Sequence, residues 1–122
     1  MLDADAAGRH PLLLDARPAD RFRGENEHID PVAGHIPGAR SAPALGNLRP
    51  DGRFLPPEEL VGRMAAVGVR PGDDVGVYCG SGVQAAHTAL ALQVAGVTDD
   101  AAVYVGSWSD WVSDRTRPVE LG

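Results

Sequence analysis

Tyr78-Cys79-Gly80-Ser81-Gly82-Val83-Gln84 contains the only cysteine of the 122-residue chain and lies between two segments of different pattern. Segment 74–78, before it, is short, apolar and rich in β-forming residues, which predicts a strand. Segment 84–95, after it, continues the apolar residues at helical spacing and predicts a helix. Cys79 is therefore expected in a strand-to-helix turn, which Gly80 and Gly82 allow to curl without a Cβ penalty.

The predicted turn would affect the ionisation of the Cys79 thiol. A curled loop at a helix N-terminus points backbone N–H groups inward, and together with the helix dipole they form a cradle for an anion. Such a cradle favours the Cys79 thiolate over the thiol. The alternative is a buried, inert cysteine, because cysteine is among the residue types most often buried. The strand, the glycine-rich loop and the helix together favour the reactive thiolate.

The bulk properties of the chain limit its class. A length of 122 residues predicts a single domain, 1–122, with one core. A net charge of −6 argues against nucleic acid as a partner, since phosphate binding needs a basic face. There is no apolar run of about 18 residues and no signal-peptide pattern, so we expect a cytoplasmic protein without membrane contact. One cysteine and four scattered histidines offer no metal-ligand spacing, and no cofactor is expected.

Strand and helix patterns alternate along the chain, which predicts an α/β fold with a parallel sheet of four or five strands flanked by helices. The apolar run Leu12–Leu14 is of the kind buried in a parallel sheet. The predicted strands are 12–14, 39–42, 74–78 and 102–105, and the predicted helices are 18–22, 57–67 and 84–95.

Several polar or aromatic residues follow predicted strands and are candidates for the same edge of the sheet. Arg17 and Arg21 follow the first strand, and ligands of open parallel sheets lie beyond the carboxyl ends of strands, where Cys79 is also expected. His35 lies in a Gly/Pro-rich turn that it is expected to tie by hydrogen bonds. Trp108 follows the last strand. Its expected role is packing in the core, and the alternative is that it lines the site.

Seven motifs recur in an order that resembles one family, the catalytic domain of the rhodanese-type sulfurtransferases. The resemblance covers nearly the whole chain and is closest to the 3-mercaptopyruvate and thiosulfate enzymes. Each motif is weak alone, but the ordered set is specific. The motifs are Leu13–Arg17, Arg21–Glu25, Ala33–Ala39, Asp51–Phe54, Cys79–Val83, Gly106–Trp111 and Arg117–Val119.

The resemblance implies a rhodanese-like fold and a sulfur transfer through a persulfide on Cys79. Arg21 would bind a small anionic sulfur donor, and a thiol or cyanide would accept the sulfur. The loop residues Gly80, Ser81, Gly82, Val83 and Gln84 would line the substrate site. Gln84 replaces the usual threonine of the family. Arg17, His35 and Trp108 are possible further contributors, although a structural role for Arg17 is the favoured alternative.

Other chemistries of a looped thiolate fit less well. A cysteine-dependent phosphatase needs an arginine that closes the loop, whereas residues 84 and 85 are Gln and Ala. A redox role lacks a nearby resolving cysteine. Cys-Gly-Ser-Gly-Val resembles the loop of the 3-mercaptopyruvate type, whereas thiosulfate-type relatives have a cationic loop.

Two alternatives to a self-contained enzyme remain. The chain could be a persulfide-carrying or sensory module without turnover, or an inactive fragment of a tandem enzyme. It resembles the second half of tandem sulfurtransferases, so a second rhodanese domain or a homodimer is the expected partner.

Overall fold

A computed structural model describes residues 1–80 and 83–122 of the chain. Within these residues, four parallel strands form one sheet in the order β2-β1-β3-β4. The prediction of an α/β fold with a parallel sheet is confirmed. The strands are β1 (Leu13–Asp15), β2 (Arg40–Ser41), β3 (Gly76–Tyr78) and β4 (Ala102–Val103).

In the same described residues, five α-helices and a short 3₁₀ helix connect and flank these strands. They are α1 (Ala4–Arg9), α2 (Ala19–Phe22), the 3₁₀ helix (Ala44–Asn47), α3 (Pro57–Ala66), α4 (Val83–Val94) and α5 (Ser107–Ser113). The predicted helices 18–22, 57–67 and 84–95 correspond to α2, α3 and α4 within two residues. Helix α3 ends before Gly68, whose φ of +85° gives the left-handed turn that glycine favours after a helix.

Three of these four strands, β2, β3 and β4, are shorter than the apolar pattern predicted, and β1 keeps its predicted length but begins one residue later. The last strand contains only Ala102 and Val103 of the predicted segment 102–105, and Val105 is half exposed. An apolar residue at a strand end need not be buried, so the pattern overestimates the length of the strand.

The sheet separates two hydrophobic clusters because successive side chains of a strand point to opposite faces. On one face, Leu14 and Val77 pack with Leu60 and Met64 of α3. The other face carries Leu13 and Tyr78, which pack with residues of α1 and α5. The second cluster has as its buried members Ala4, Ala7, Leu13, Ile36, Ala39, Tyr78, Tyr104, Trp108, Trp111 and Val112. Trp108 and Trp111 are both buried, and the burial of Trp108 agrees with the core-packing role expected for it.

The strand order positions the functional edge of the sheet. From β1 the chain crosses to β2 on one side, and β3 and β4 are added on the other side, so the order reverses between β1 and β3. Leu14 lies opposite Val77, and Asp15 lies opposite Tyr78. In open α/β sheets the crevice beyond such a reversal is where ligands bind. The segments that follow β1 and β3 therefore meet at that crevice.

Candidate active site

Cys79 follows β3 directly and is held by hydrogen bonds to the first residues of α5. Its N–H donates to Ser107 Oγ at 2.9 Å, and its carbonyl accepts from the Trp108 N–H at 2.8 Å. The next carbonyl, of Gly80, accepts from the Ser109 N–H at 3.2 Å. The thiol is buried, with 1% of the residue exposed. The end of β3 is therefore fixed by backbone hydrogen bonds on the side of α5.

Ser107 is a site residue that the sequence analysis missed. Its Oγ lies 3.8 Å from Cys79 Sγ and donates to the Tyr104 carbonyl at 2.8 Å. Its φ is +58°, a left-handed conformation that is uncommon for a residue with a Cβ. The side chain is fully buried. The strained backbone lets one hydroxyl reach both the cysteine strand and its own turn.

Arg21 lies beside the cysteine loop. Its Nη1 is 3.4 Å from the position that a Cβ on Gly80 would occupy. Its Nη2 donates to Glu27 Oε2 at 3.1 Å and to Asp30 Oδ2 at 3.2 Å. Among the residues that the structure describes, its buried Nε has no hydrogen-bond partner. The guanidinium is thus anchored at Nη2, with Nη1 close to the loop.

Glu27 and Asp30 are further residues that sequence reasoning did not identify. They lie in the polar segment 23–31, which follows α2. The available signal was the charge order, in which an arginine is followed by acids six and nine residues later. On a helix, side chains three or four residues apart are neighbours, so a spacing of six or nine residues does not predict a pair there. The pairing of these acids with Arg21 depends on the path of the loop.

Arg17 starts at the same edge but is turned into the protein interior. Its Nη2 donates to Asp15 Oδ2 at 2.7 Å and to the Gly34 carbonyl at 2.6 Å, and its side chain is fully buried. The guanidinium carbon is 4.7 Å from the centre of the Trp108 ring. Burial lowers the pKa of Arg17, but the hydrogen bonds and charge of Asp15 outweigh it, so the net shift is upward. These contacts agree with the structural role favoured for this arginine.

His35 and Trp108 hold the loop that carries the acids. The Nδ1 of His35 pairs with the Phe22 carbonyl at 2.7 Å, and the two rings stack at 3.7 Å between centres. Trp108 is fully buried and donates its Nε1–H to the Val32 carbonyl at 2.9 Å. Both residues therefore contact the segment on either side of Glu27 and Asp30.

The remaining predicted residues belong to the loop itself. Ser81 and Gly82 lie outside the described residues. Val83 is 77% exposed at the start of α4. Gln84 is half-buried and lines an apolar cavity of about 250 Å³ with residues of β1, α2 and the 3₁₀ helix. The other residues that line the cavity are Ala16, Pro18, Ala19, Pro43, Ala44 and Leu45.

In the described part of the chain, no group of three or more His, Cys, Asp or Glu side chains could hold a metal ion. None of the helices found there is long and apolar enough to cross a membrane.

A parallel α/β sheet with a cysteine loop at its topological switch and an arginine beside that loop defines the class of the rhodanese-like proteins. The chain belongs to this family, because the family model described as "Rhodanese-like domain" matches residues 1–114. The resemblance stated from the motifs is thereby confirmed.

Relatives with given names support the same family. A Pseudomonas aeruginosa protein named "Probable 3-mercaptopyruvate sulfurtransferase" is 56% identical over 111 residues, which are 90% of this chain and 39% of that protein. A Mycobacterium tuberculosis protein named "Putative thiosulfate sulfurtransferase SseB" is 52% identical over 122 residues, 99% of this chain and 42% of that protein. The crystal structure of a probable thiosulfate sulfurtransferase superposes with a TM-score of 0.79 at 38% identity, covering 98% of this chain and 47% of that one. The chain thus spans less than half the length of these relatives.

Proposed function

We propose that the chain is the catalytic domain of a sulfurtransferase, in which Cys79 carries sulfur as a persulfide. The observation that carries the proposal is the position of Arg21 beside Gly80, next to the only cysteine of the chain. An arginine at this position can hold an anionic donor over the loop by charge-assisted hydrogen bonds. The sulfurtransferase names of relatives that are 52–56% identical support the same reaction.

The proposed reaction is a double displacement. The Cys79 thiolate attacks the transferable sulfur of the donor, which is the sulfane sulfur of thiosulfate or the thiol sulfur of 3-mercaptopyruvate, and a new S–S bond forms while the bond between that sulfur and the rest of the donor breaks. The departing group takes the bonding electron pair, as sulfite from thiosulfate or as the pyruvate enolate, which then gains a proton. A thiolate or cyanide next attacks the outer sulfur, and the electron pair of the S–S bond returns to Cys79.

Each proposed residue has a specific part in this scheme. Arg21 binds the donor, and the residues Gly80, Ser81, Gly82, Val83 and Gln84 form the loop around the transferred sulfur. Preorganised N–H donors and Arg21 stabilise the negative charge, which lies on sulfur or on the departing group throughout the reaction. Arg17, His35 and Trp108 support the loop that positions Arg21 and do not touch the substrate.

We further propose that the chain functions as one rhodanese unit, 1–122, and that a second rhodanese domain or a second copy covers its cleft. The relatives have more than twice its length. Two large apolar side chains near the loop support a covering partner, since Leu45 is 68% exposed and Val83 is 77% exposed.

Mass spectrometry of the purified chain tests the reaction. After incubation with thiosulfate or 3-mercaptopyruvate, we expect one added sulfur atom on Cys79, and its removal by cyanide. Cys79→Ser should keep the fold and take up no sulfur. A persulfide that forms but is not removed by any thiol or cyanide would indicate a carrier or sensory module. Sulfur uptake by Cys79→Ser would refute the assignment of the nucleophile.

A further inference from the structure

Two carboxylates are bound to the guanidinium that we propose as the donor-binding group. Glu27 and Asp30 accept hydrogen bonds from the same nitrogen, Nη2 of Arg21, at 3.1 and 3.2 Å. The two acidic side chains are only 6% and 9% exposed, and that of Arg21 is 15% exposed. Because partly buried charges are screened little by salt, the carboxylates act on any anion that reaches Arg21.

Both acids are fixed in place. Glu27 Oε2 accepts the N–H groups of Ile29 and Asp30, both at 3.1 Å. Asp30 Oδ1 accepts the hydroxyl of Ser109 at 2.8 Å, which ties the loop to α5. Burial raises the pKa of Glu27, but those two N–H groups and the Arg21 charge outweigh it, so the pKa is lowered. Glu27 is therefore a carboxylate at neutral pH.

The charge of the whole cluster is negative. It contains the arginines at 17 and 21 and the acids Asp15, Glu27 and Asp30, which are joined by ion pairs of 2.7–3.7 Å. Two positive and three negative charges leave a net charge of −1. Arg21 can still direct hydrogen bonds at a donor, but it gives the site no surplus positive charge.

We propose that Asp30 and Glu27 are specificity-determining residues that favour monoanionic over dianionic donors at the Cys79 loop. This inference rests on the proposed function of the same site. The physical reason is that repulsion from a fixed carboxylate is proportional to the charge of the donor, so it is twice as large for thiosulfate as for 3-mercaptopyruvate. The attraction to Arg21 scales with the donor charge in the same way, so the net charge of −1 on the cluster decides the preference.

The expected size follows from Coulomb's law. At roughly 8 Å and an effective dielectric constant of about 20, one unit charge changes the affinity of a monoanion by about thirtyfold. For a donor in a site open to solvent, an effective dielectric constant of about 60 reduces this to about threefold. Since the effect on a dianion is the square of the effect on a monoanion, we expect about tenfold for the dianion.

Asp30→Asn tests the proposal, because asparagine can keep the Ser109 hydrogen bond while losing the charge. At constant ionic strength we expect kcat/KM to rise about tenfold for thiosulfate and about threefold for 3-mercaptopyruvate. Glu27→Gln should shift the ratio in the same direction. Equal changes for both donors, or losses with both, would overturn the proposal and leave Asp30 as a residue that only positions Arg21.

Two controls separate charge from geometry. Glu25→Gln removes a carboxylate from the same loop that pairs with Arg23 instead of Arg21, so the donor ratio should stay within twofold. Ser109→Ala removes the hydroxyl partner of Asp30 but keeps its charge, and the ratio should again be unchanged. A shift in either control as large as that of Asp30→Asn would also overturn the proposal.

Binding of unreactive anions makes the test independent of turnover. Sulfate is the dianionic probe and pyruvate the monoanionic probe, and chemical-shift titrations give both dissociation constants. In Asp30→Asn we expect sulfate binding to tighten about tenfold and pyruvate binding about threefold. If this difference appears but wild-type Cys79 gains no sulfur from either donor, the proposed function fails and the charge selection stands. If Cys79 gains sulfur but the two probes change equally, the charge selection fails alone.

Discussion

Two substitutions of Ser107 separate the effect of its backbone strain on stability from the contribution of its hydroxyl group. Ser107→Ala removes the acceptor of the Cys79 N–H and the donor to the Tyr104 carbonyl, two buried hydrogen bonds of 2.9 and 2.8 Å. A buried polar group that loses its partner costs about 1–3 kcal/mol. Ser107→Gly loses the same hydroxyl, but glycine adopts a φ of +58° without the roughly 1–2 kcal/mol that a Cβ costs there.

We therefore expect Ser107→Gly to be more stable than Ser107→Ala by about 1 kcal/mol. This order is the reverse of that in an ordinary helix interior, where alanine is favoured over glycine by about 1 kcal/mol. Urea unfolding of the two variants and the wild type measures the difference. An alanine variant as stable as the glycine variant, or more stable, would refute the argument from backbone strain.

The rate of persulfide formation gives a second readout of the same pair. The Ser107 hydroxyl oxygen lies 3.8 Å from Cys79 Sγ and holds the Cys79 N–H, so both variants loosen the position of the sulfur. Loss of a hydrogen bond between neutral groups, about 0.5–1.5 kcal/mol, corresponds to a rate about two- to tenfold lower. We expect that loss in both variants, despite their different stabilities. A wild-type rate in the glycine variant would mean that Ser107 acts through stability alone.

Two other predictions concern the arginines. Arg21→Ala should raise the KM for an anionic donor at least tenfold with a small change in kcat, because a charge-assisted hydrogen bond contributes about 1.5–3 kcal/mol to binding; an unchanged KM in steady-state assays would remove Arg21 from the donor site. Asp15→Asn should destabilise the fold by about 3 kcal/mol, the low end of the cost of breaking a buried ion pair, because Glu27 at 3.7 Å is then the remaining counter-ion of the fully buried Arg17. Urea unfolding measures this loss of stability. Glu25→Gln is an exposed control, expected to lie within about 0.5 kcal/mol of wild type. A loss below about 1 kcal/mol for Asp15→Asn would contradict the prediction.

The sequence predicted the parts of the fold that depend on local pattern. The apolar runs and the helical spacing after Cys79 correctly indicated the parallel sheet and α4, because both patterns reflect burial against a single core. The short helix after Pro18 was also correct within one residue. The lengths of the strands were less accurate, since residues such as Val105 have strand-forming side chains but lie partly in solvent.

The contacts around the candidate site were less accessible from the sequence. Ser107 meets Cys79 across 28 residues, and Asp30 meets Ser109 across 79 residues, so no local pattern indicates either contact. A positive φ is expected at glycine but not at a serine, which is why the turn before α5 was not predicted as strained. Arg21 could be placed at the right edge because the rule for parallel sheets depends on chain order alone. Its two carboxylate partners depend on the path of an irregular loop.

The two arginines that follow β1 lie at the same edge of the sheet but differ in role, one being structural and the other the proposed donor-binding group. Arg17 is fully buried and held by Asp15 and the Gly34 carbonyl, so its charge is used to anchor the loop that follows α2. Arg21 is partly exposed, and its Nη1 faces the position of Gly80. Glu27 lies between them, 3.7 Å from Arg17 and 3.1 Å from Arg21. A single acid therefore couples the buried anchor to the arginine at the cysteine loop, and any change that moves Glu27 is expected to alter both stability and donor binding.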